Sequence, residues 1–188
     1  MIETIAVILT IICVWLTTKR HILAWPISLI AVVFYAFVFW DAKLYSDFGL
    51  QFFFFAQGIV GWITWKRNLE DTSHTKIEKL SNQNKLYWLS IGIVSYFIVA
   101  NIMSHYTDAA APWIDSFVAV FSLIANWLLA KRKIENWWIW ITVDFVYVGL
   151  FIYKGLYLSA GLYFVLLLIA LQGMKSWYLK LNENGLSR

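Results

Sequence analysis

Four residues close together in the second half of the chain carry the most chemistry. Asn136, Trp137, Trp140 and Asp144 fall within an otherwise apolar run. At about 100° per residue, Trp137, Trp140 and Asp144 share one helical face, with Asn136 beside Trp140. An acid this deep in an apolar helix costs about 2.5–3.5 kcal/mol to place in a membrane, so it faces water or a partner and marks function. Lys and Arg flank the apolar runs or lie at their ends, as Lys175 does, and none lies in the middle of one to neutralise it. A carboxylate one turn from two indoles suits a flat organic cation. Desolvated tryptophan faces attract cations by about 2 kcal/mol or more, and stacking adds apolar contact. Two other readings of Asp144 stay open: a protonated acid hydrogen-bonded to a neighbouring helix, and a proton relay.

A smaller polar set supports the same site. Gln57 and Gln172 lie in separate apolar runs, and each side-chain amide suits either a ligand or a neighbouring helix. Asn126 is read as a site residue or a packing residue, and Asn101 as an interface residue. Other chemistry finds no support. His21, His74 and His105 lack metal-ligand spacing. There is no glycine-rich phosphate loop, and the serines lack nearby His and Asp partners. No cofactor and no enzymatic activity are expected. An intramembrane enzyme would need a second convergent catalytic group beside Asp144. A non-transporting receptor or structural bundle would tolerate Asp144→Leu.

These residues need a membrane-embedded frame. The chain has 188 residues, 61% hydrophobic, 19% aromatic and 14% charged, with a mean hydropathy of +0.67. Soluble domains average roughly 45–50% apolar and about 25% charged residues, and a domain of this size could not bury the excess. Disorder, a disulfide scaffold and a cytosolic enzyme are excluded. Apolar runs cover Ile2–Leu16, Ile22–Trp40, Phe48–Trp65, Leu86–Met103, Ile114–Ala130, Trp137–Tyr153 and Leu158–Trp177. At about 20 residues per span, the seven occupy the chain as a single membrane domain, residues 1–188. The first run is short, but Glu3 precedes it and Lys19-Arg20-His21 follows without a small-residue cleavage site, so it reads as a retained helix. Cys13, the single cysteine, reads as a small buried hydrophobe.

Charge sets the expected orientation. Thirteen of the 15 Lys and Arg residues lie in connections 1–2, 3–4 and 5–6 and at the end of span 7 or beyond it; only Lys43 and Lys154 lie opposite. The positive-inside rule then places the N-terminus outside and the C-terminus in the cytoplasm. The basic excess is topological, and no nucleic-acid partner is expected.

Sliding the chain on itself by 112 positions gives 15 identities over residues 2–50 without a gap. They include Lys19-Arg20 with Lys131-Arg132, Trp15 with Trp127, and Trp25 with Trp137. After a three-residue insertion the match resumes, Gln57-Gly58 and Trp62 answering Gln172-Gly173 and Trp177. The expected organisation is a first repeat over 2–67, a linking span over 86–103 and a second repeat over 114–180. An odd span between them makes the two three-helix repeats parallel, a transporter architecture with its site between the repeats. A duplicated scaffold without transport is the other reading. At equivalent positions Asn136, Trp137, Trp140 and Asp144 face Ala24, Trp25, Ser28 and Val32. The second half has gained chemistry that the first lacks.

Glu135-Asn136-Trp137, Trp140 and Asp144, followed by Gly155-Leu156-Tyr157, resemble the signature of the Pnu vitamin transporters. The aromatic run 51–57 leading to Gly61-Trp62, and Leu171-Gln172-Gly173 leading to Trp177, look like that family's third and seventh spans. The resemblance covers nearly the whole chain. It implies an all-α integral membrane fold of seven helices, 3+1+3, similar to the SWEET sugar transporters but inverted in the membrane. It further implies facilitated diffusion of a vitamin across a bacterial inner membrane, with a cytoplasmic kinase phosphorylating and trapping it. Trp137 and Trp140 match the family's stacking residues, Asn136 its adjacent polar residue, and Asp144 the position closing the motif. That last position is often asparagine in the nicotinamide riboside branch, and the two glutamines replace asparagines of some relatives. Nicotinamide riboside is the first expected substrate and thiamine the second, since both carry a quaternary ring nitrogen. A homo-oligomer is compatible with the sequence.

Overall fold

The computed structural model describes residues 2–41, 45–70, 76–107, 111–153 and 157–186. Lys43, His74, Lys154, Gly155 and Leu156, which figured in the charge count, the histidine survey and the signature, lie outside them. The described residues form seven helices: α1 Ile2–Thr18, α2 Ala24–Asp41, α3 Tyr45–Glu70, α4 Asn82–Tyr106, α5 Pro112–Ala130, α6 Asn136–Tyr153 and α7 Tyr157–Leu186. Six are long and apolar enough to cross a membrane, and α1 is a shorter apolar helix. Many large side chains point outward, among them Phe37, Phe52, Phe145 and Leu89. In water such a surface would be unstable; against lipid tails it is the favoured one.

Six of the helices close into a ring. α1 packs on α2, α2 on α3, α3 on α5, α5 on α6, α6 on α7, and α7 returns to α1. α4 touches only α5 among the described helices, so it stands outside the ring. The fold is the expected all-α membrane bundle of seven helices.

Local features recur 112 residues apart. Two residues past the end of α1 stands Arg20 (φ 58°), and two past the end of α5 stands Arg132 (φ 52°), both left-handed. Arg20 N donates to Thr17 O and His21 N to Leu16 O; Arg132 N donates to Leu129 O and Lys133 N to Leu128 O. This paired bonding is the Schellman stop, usually built on glycine. Arginine holds it at a backbone cost of about 1–2 kcal/mol. Trp25 meets Trp65 edge-on at 5.5 Å, and Trp137 meets Trp177 edge-on at 5.5 Å. A Cβ on Gly61 would collide with the Trp25 ring, and one on Gly173 with the Trp137 ring. The geometry thus pairs Gly61 with Gly173 and Trp65 with Trp177, keeping the offset of 112 through α3 and α7 without an insertion. A three-residue shift moves a helical position by only about 60° around the axis, so the sequence match tolerates either register. Ring packing against glycine does not.

Candidate functional site

A cavity of about 280 Å³ lies inside the ring, lined by residues of all six ring helices and none of α4. It falls just below the roughly 300–1,000 Å³ of typical small-molecule sites, which suits a compact metabolite.

The α6 face supplies its strongest chemistry. Trp137, Trp140, Asp144 and Tyr147 line the cavity at successive turns. Asp144 is 5% exposed. None of the hydrogen bonds or salt bridges among the described residues involves it, and no Lys or Arg lines the cavity. Its charge therefore has no built-in counter-ion. Trp140 is partly buried and turns toward the cavity, whereas Trp137, 1% exposed, is wedged between Gly173 and Trp177.

The remaining expected residues divide. Asn126 lines the cavity, and its Nδ2 donates to Gln57 Oε1 at 3.1 Å. Gln57 Nε2 in turn donates to Leu123 O at 3.1 Å, so Gln57 stands behind Asn126 and ties α3 to α5. Asn136 does not line the cavity. It is fully buried at the start of α6, where its Nδ2 donates to Lys133 O at 2.6 Å. Gln172 is exposed and lines a separate open hollow with Arg20, Lys175 and Lys180. Gln172 follows the 112 register to Val60, not to Gln57, and the two amides consequently occupy different surroundings.

Indoles close the cavity at one end. Trp25, Trp65, Trp177 and Trp137 form a continuous buried chain, with Trp65 and Trp177 at 6.5 Å. Trp65 Nε1 donates to Ala130 O, and the Arg132 guanidinium lies 4.7 Å from the Trp65 ring centre. Burial, and then the Arg20 charge, pull Arg132 below the ordinary arginine value. Stacking on the indole face offsets part of that desolvation. This end carries the helix connections rich in Lys and Arg. Toward the other end Tyr147 packs on Tyr163 at 4.2 Å and on Phe151 at 5.5 Å, while Tyr35 stacks on Phe39 at 5.7 Å.

Two features escaped the sequence reading. Glu135 accepts the Leu80 N–H on both oxygens at 3.1 Å and pairs with Lys85 at 3.4 Å, while Glu78 pairs with Lys133. The segment 76–80, with Ile77 and Leu80 buried, thereby straps the α5–α6 turn. On the opposite wall Thr10, Cys13, Thr17 and Ser28 bring small polar groups into the cavity. Thr10, Cys13 and Thr17 recur at i, i+3 and i+7, a signal that was available. No group of three or more metal-ligating side chains occurs among the described residues.

Comparison with known proteins places this arrangement. Residues 1–179 match the model of the family described as nicotinamide mononucleotide transporter. The chain is 29% identical over 209 residues to the nicotinamide riboside transporter PnuC of Escherichia coli, covering 98% of this chain and 87% of the relative. It is 25% identical over 178 residues to the riboflavin/roseoflavin transporter RibM of Streptomyces davaonensis, covering 92% of this chain and 82% of that one. Its fold is similar to the crystal structure of the vitamin B3 transporter PnuC, with a TM-score of 0.78 at 21% identity over 97% of this chain and 82% of the other.

Proposed function

The chain belongs to the nicotinamide mononucleotide transporter family, whose relatives are multi-pass transporters of the bacterial inner membrane, and from that premise we propose that it takes up nicotinamide riboside. The observation that carries this reading is Asp144, an acid without a protein counter-ion, in a cavity that also presents the Trp140 face. A quaternary pyridinium completes that charge and stacks on the indole. Asn126, held by Gln57, offers a hydrogen bond to the ring carboxamide or the sugar. An uncharged flavin, the kind of substrate named for RibM, would leave Asp144 unpaired.

Transport proceeds by alternating access. The α1–α3 and α5–α7 halves are two copies of one unit and rock about the cavity. The indole chain is the closed end, and the Lys- and Arg-rich connections put that end in the cytoplasm, with the N-terminus outside. Movement is downhill, so a cytoplasmic kinase that phosphorylates the vitamin sustains uptake. Titrating the purified protein with nicotinamide riboside and with thiamine, followed by tryptophan quenching, tests the substrate. Tight riboside binding supports it. Failure to bind the riboside, or tighter binding of thiamine, overturns it.

A further inference from the structure

The wall of the cavity facing α6 has a hydrogen-bonding sign. Thr10 Oγ1 donates to Ala6 O at 2.9 Å, Thr17 Oγ1 to Cys13 O at 2.9 Å, and Ser28 Oγ to Trp25 O at 2.8 Å. The Cys13 thiol donates to Ala24 O at 3.2 Å. A hydroxyl has one proton and two acceptor lone pairs. With each proton held by a backbone carbonyl of its own helix, these oxygens turn only lone pairs toward a ligand. Releasing a proton would forfeit that bond. At Thr17 and Ser28, and at Thr10 beside the Tyr35 hydroxyl, the wall turns acceptors toward the cavity, Tyr35 being its one O–H donor among the described lining residues of α1 and α2.

Such a wall selects a ligand rich in O–H donors. The α6 side, with its carboxylate and indole, selects a cationic ring. We propose that Thr10, Thr17 and Ser28 form an acceptor subsite for the hydroxyl groups of a polyol, the sugar of the cationic nucleoside whose ring rests against Trp140. The assignment rests on the proposed function and deepens it. It also orients the ligand, ring toward α6 and sugar toward α1 and α2. The two ends of the ligand meet different chemistry at equivalent positions: Ser28 stands where the other half has Trp140, and Thr17 where it has Leu129. A ring cation without hydroxyls fills only the α6 side.

Calorimetry on the full-length protein with three probes tests this: nicotinamide riboside, its 2′,3′-dideoxy analogue, and 1-methylnicotinamide, which keeps the charged ring and lacks the sugar. The isosteric double variant Thr17→Val with Ser28→Ala should bind the riboside about tenfold or more weakly, two hydrogen bonds at roughly 1 kcal/mol each, with 1-methylnicotinamide unchanged. Wild-type protein should show a similar loss with the dideoxy analogue, a measurement that needs no variant to fold. Unchanged riboside affinity in the variant, or equal weakening of both ring compounds, overturns the subsite while the function stands. Wild-type protein that binds no riboside overturns the function and the subsite with it.

Discussion

The two halves of the ring share what closes the cavity and differ at the chemically strongest positions that line it. Trp25 and Trp137, Gly61 and Gly173, Trp65 and Trp177, and Arg20 and Arg132 repeat at a spacing of 112 with matching contacts. Around the cavity the same spacing keeps Tyr35 with Tyr147 and Leu50 with Leu162, but pairs Val14 with Asn126, Ser28 with Trp140 and Val32 with Asp144. Gate-like packing demands two equivalent surfaces that fit each other. An asymmetric ligand demands two surfaces that do not resemble each other. Conservation at the plug beside divergence at these lining positions is what one asymmetric substrate between two similar halves requires.

The sharpest break in the comparison is the Asp144 and Val32 pair. Asp144→Ala should weaken binding of the cationic vitamin by about 100-fold or more, within the ~2–5 kcal/mol of a buried charge losing its partner. Val32→Ala should change it by less than threefold, roughly the scale of an aliphatic trim at a site that relaxes. Equal effects in the two halves would dissolve the distinction.

The shared surfaces should respond alike. Gly61→Ala and Gly173→Ala each drive a methyl into an indole, and each should destabilise by about 1–3 kcal/mol, read as lowered thermal midpoints. Both should also change the tryptophan emission. Tolerance of either substitution would show that its half of the plug is loosely packed.

The strap gives a smaller contrast. Glu135→Ala removes the acceptor for Leu80 N and the partner of Lys85. It should cost about 1–3 kcal/mol, the penalty for orphaning a partly buried donor. Leu23→Ala, its counterpart 112 residues earlier and 51% exposed, should cost less than about 0.5 kcal/mol. The smallest expected effect lies in the left-handed arginines. Arg20→Gly relieves about 1 kcal/mol of backbone strain and raises the midpoint. Arg132→Gly gains the same relief but loses the contact with Trp65, so its midpoint should rise less.

Much of this was legible in the residues alone. The spans, their number and the α6 face of Trp137, Trp140 and Asp144 follow from hydropathy and helical spacing, because insertion cost forces an acid such as Asp144 to have a reason. Asn136, read with them, bonds Lys133 O at the helix start instead. The polarity of the opposite wall was not legible. Thr17 and Ser28 look like ordinary helix residues bonding their own backbone, and only ring closure shows them facing Trp140 across a cavity. Glu135 stands in the sequence motif, but its partner Leu80 lies 55 residues away, beyond any local pattern. Gln172 reads as the equivalent of Gln57 because a three-residue register shift leaves an apolar helix nearly unchanged in sequence terms.

In the proposed function Asp144 supplies the counter-charge for a ring cation. Reduced nicotinamide riboside keeps the sugar and carboxamide but carries a neutral dihydropyridine. Calorimetric titration of wild-type protein and Asp144→Asn with the oxidised and reduced ribosides isolates the charge. Wild-type protein should prefer the cation by about 30-fold or more, on the order of 2 kcal/mol, and Asp144→Asn should largely abolish the preference. Equal affinity of wild-type protein for the two ribosides would contradict that role of Asp144.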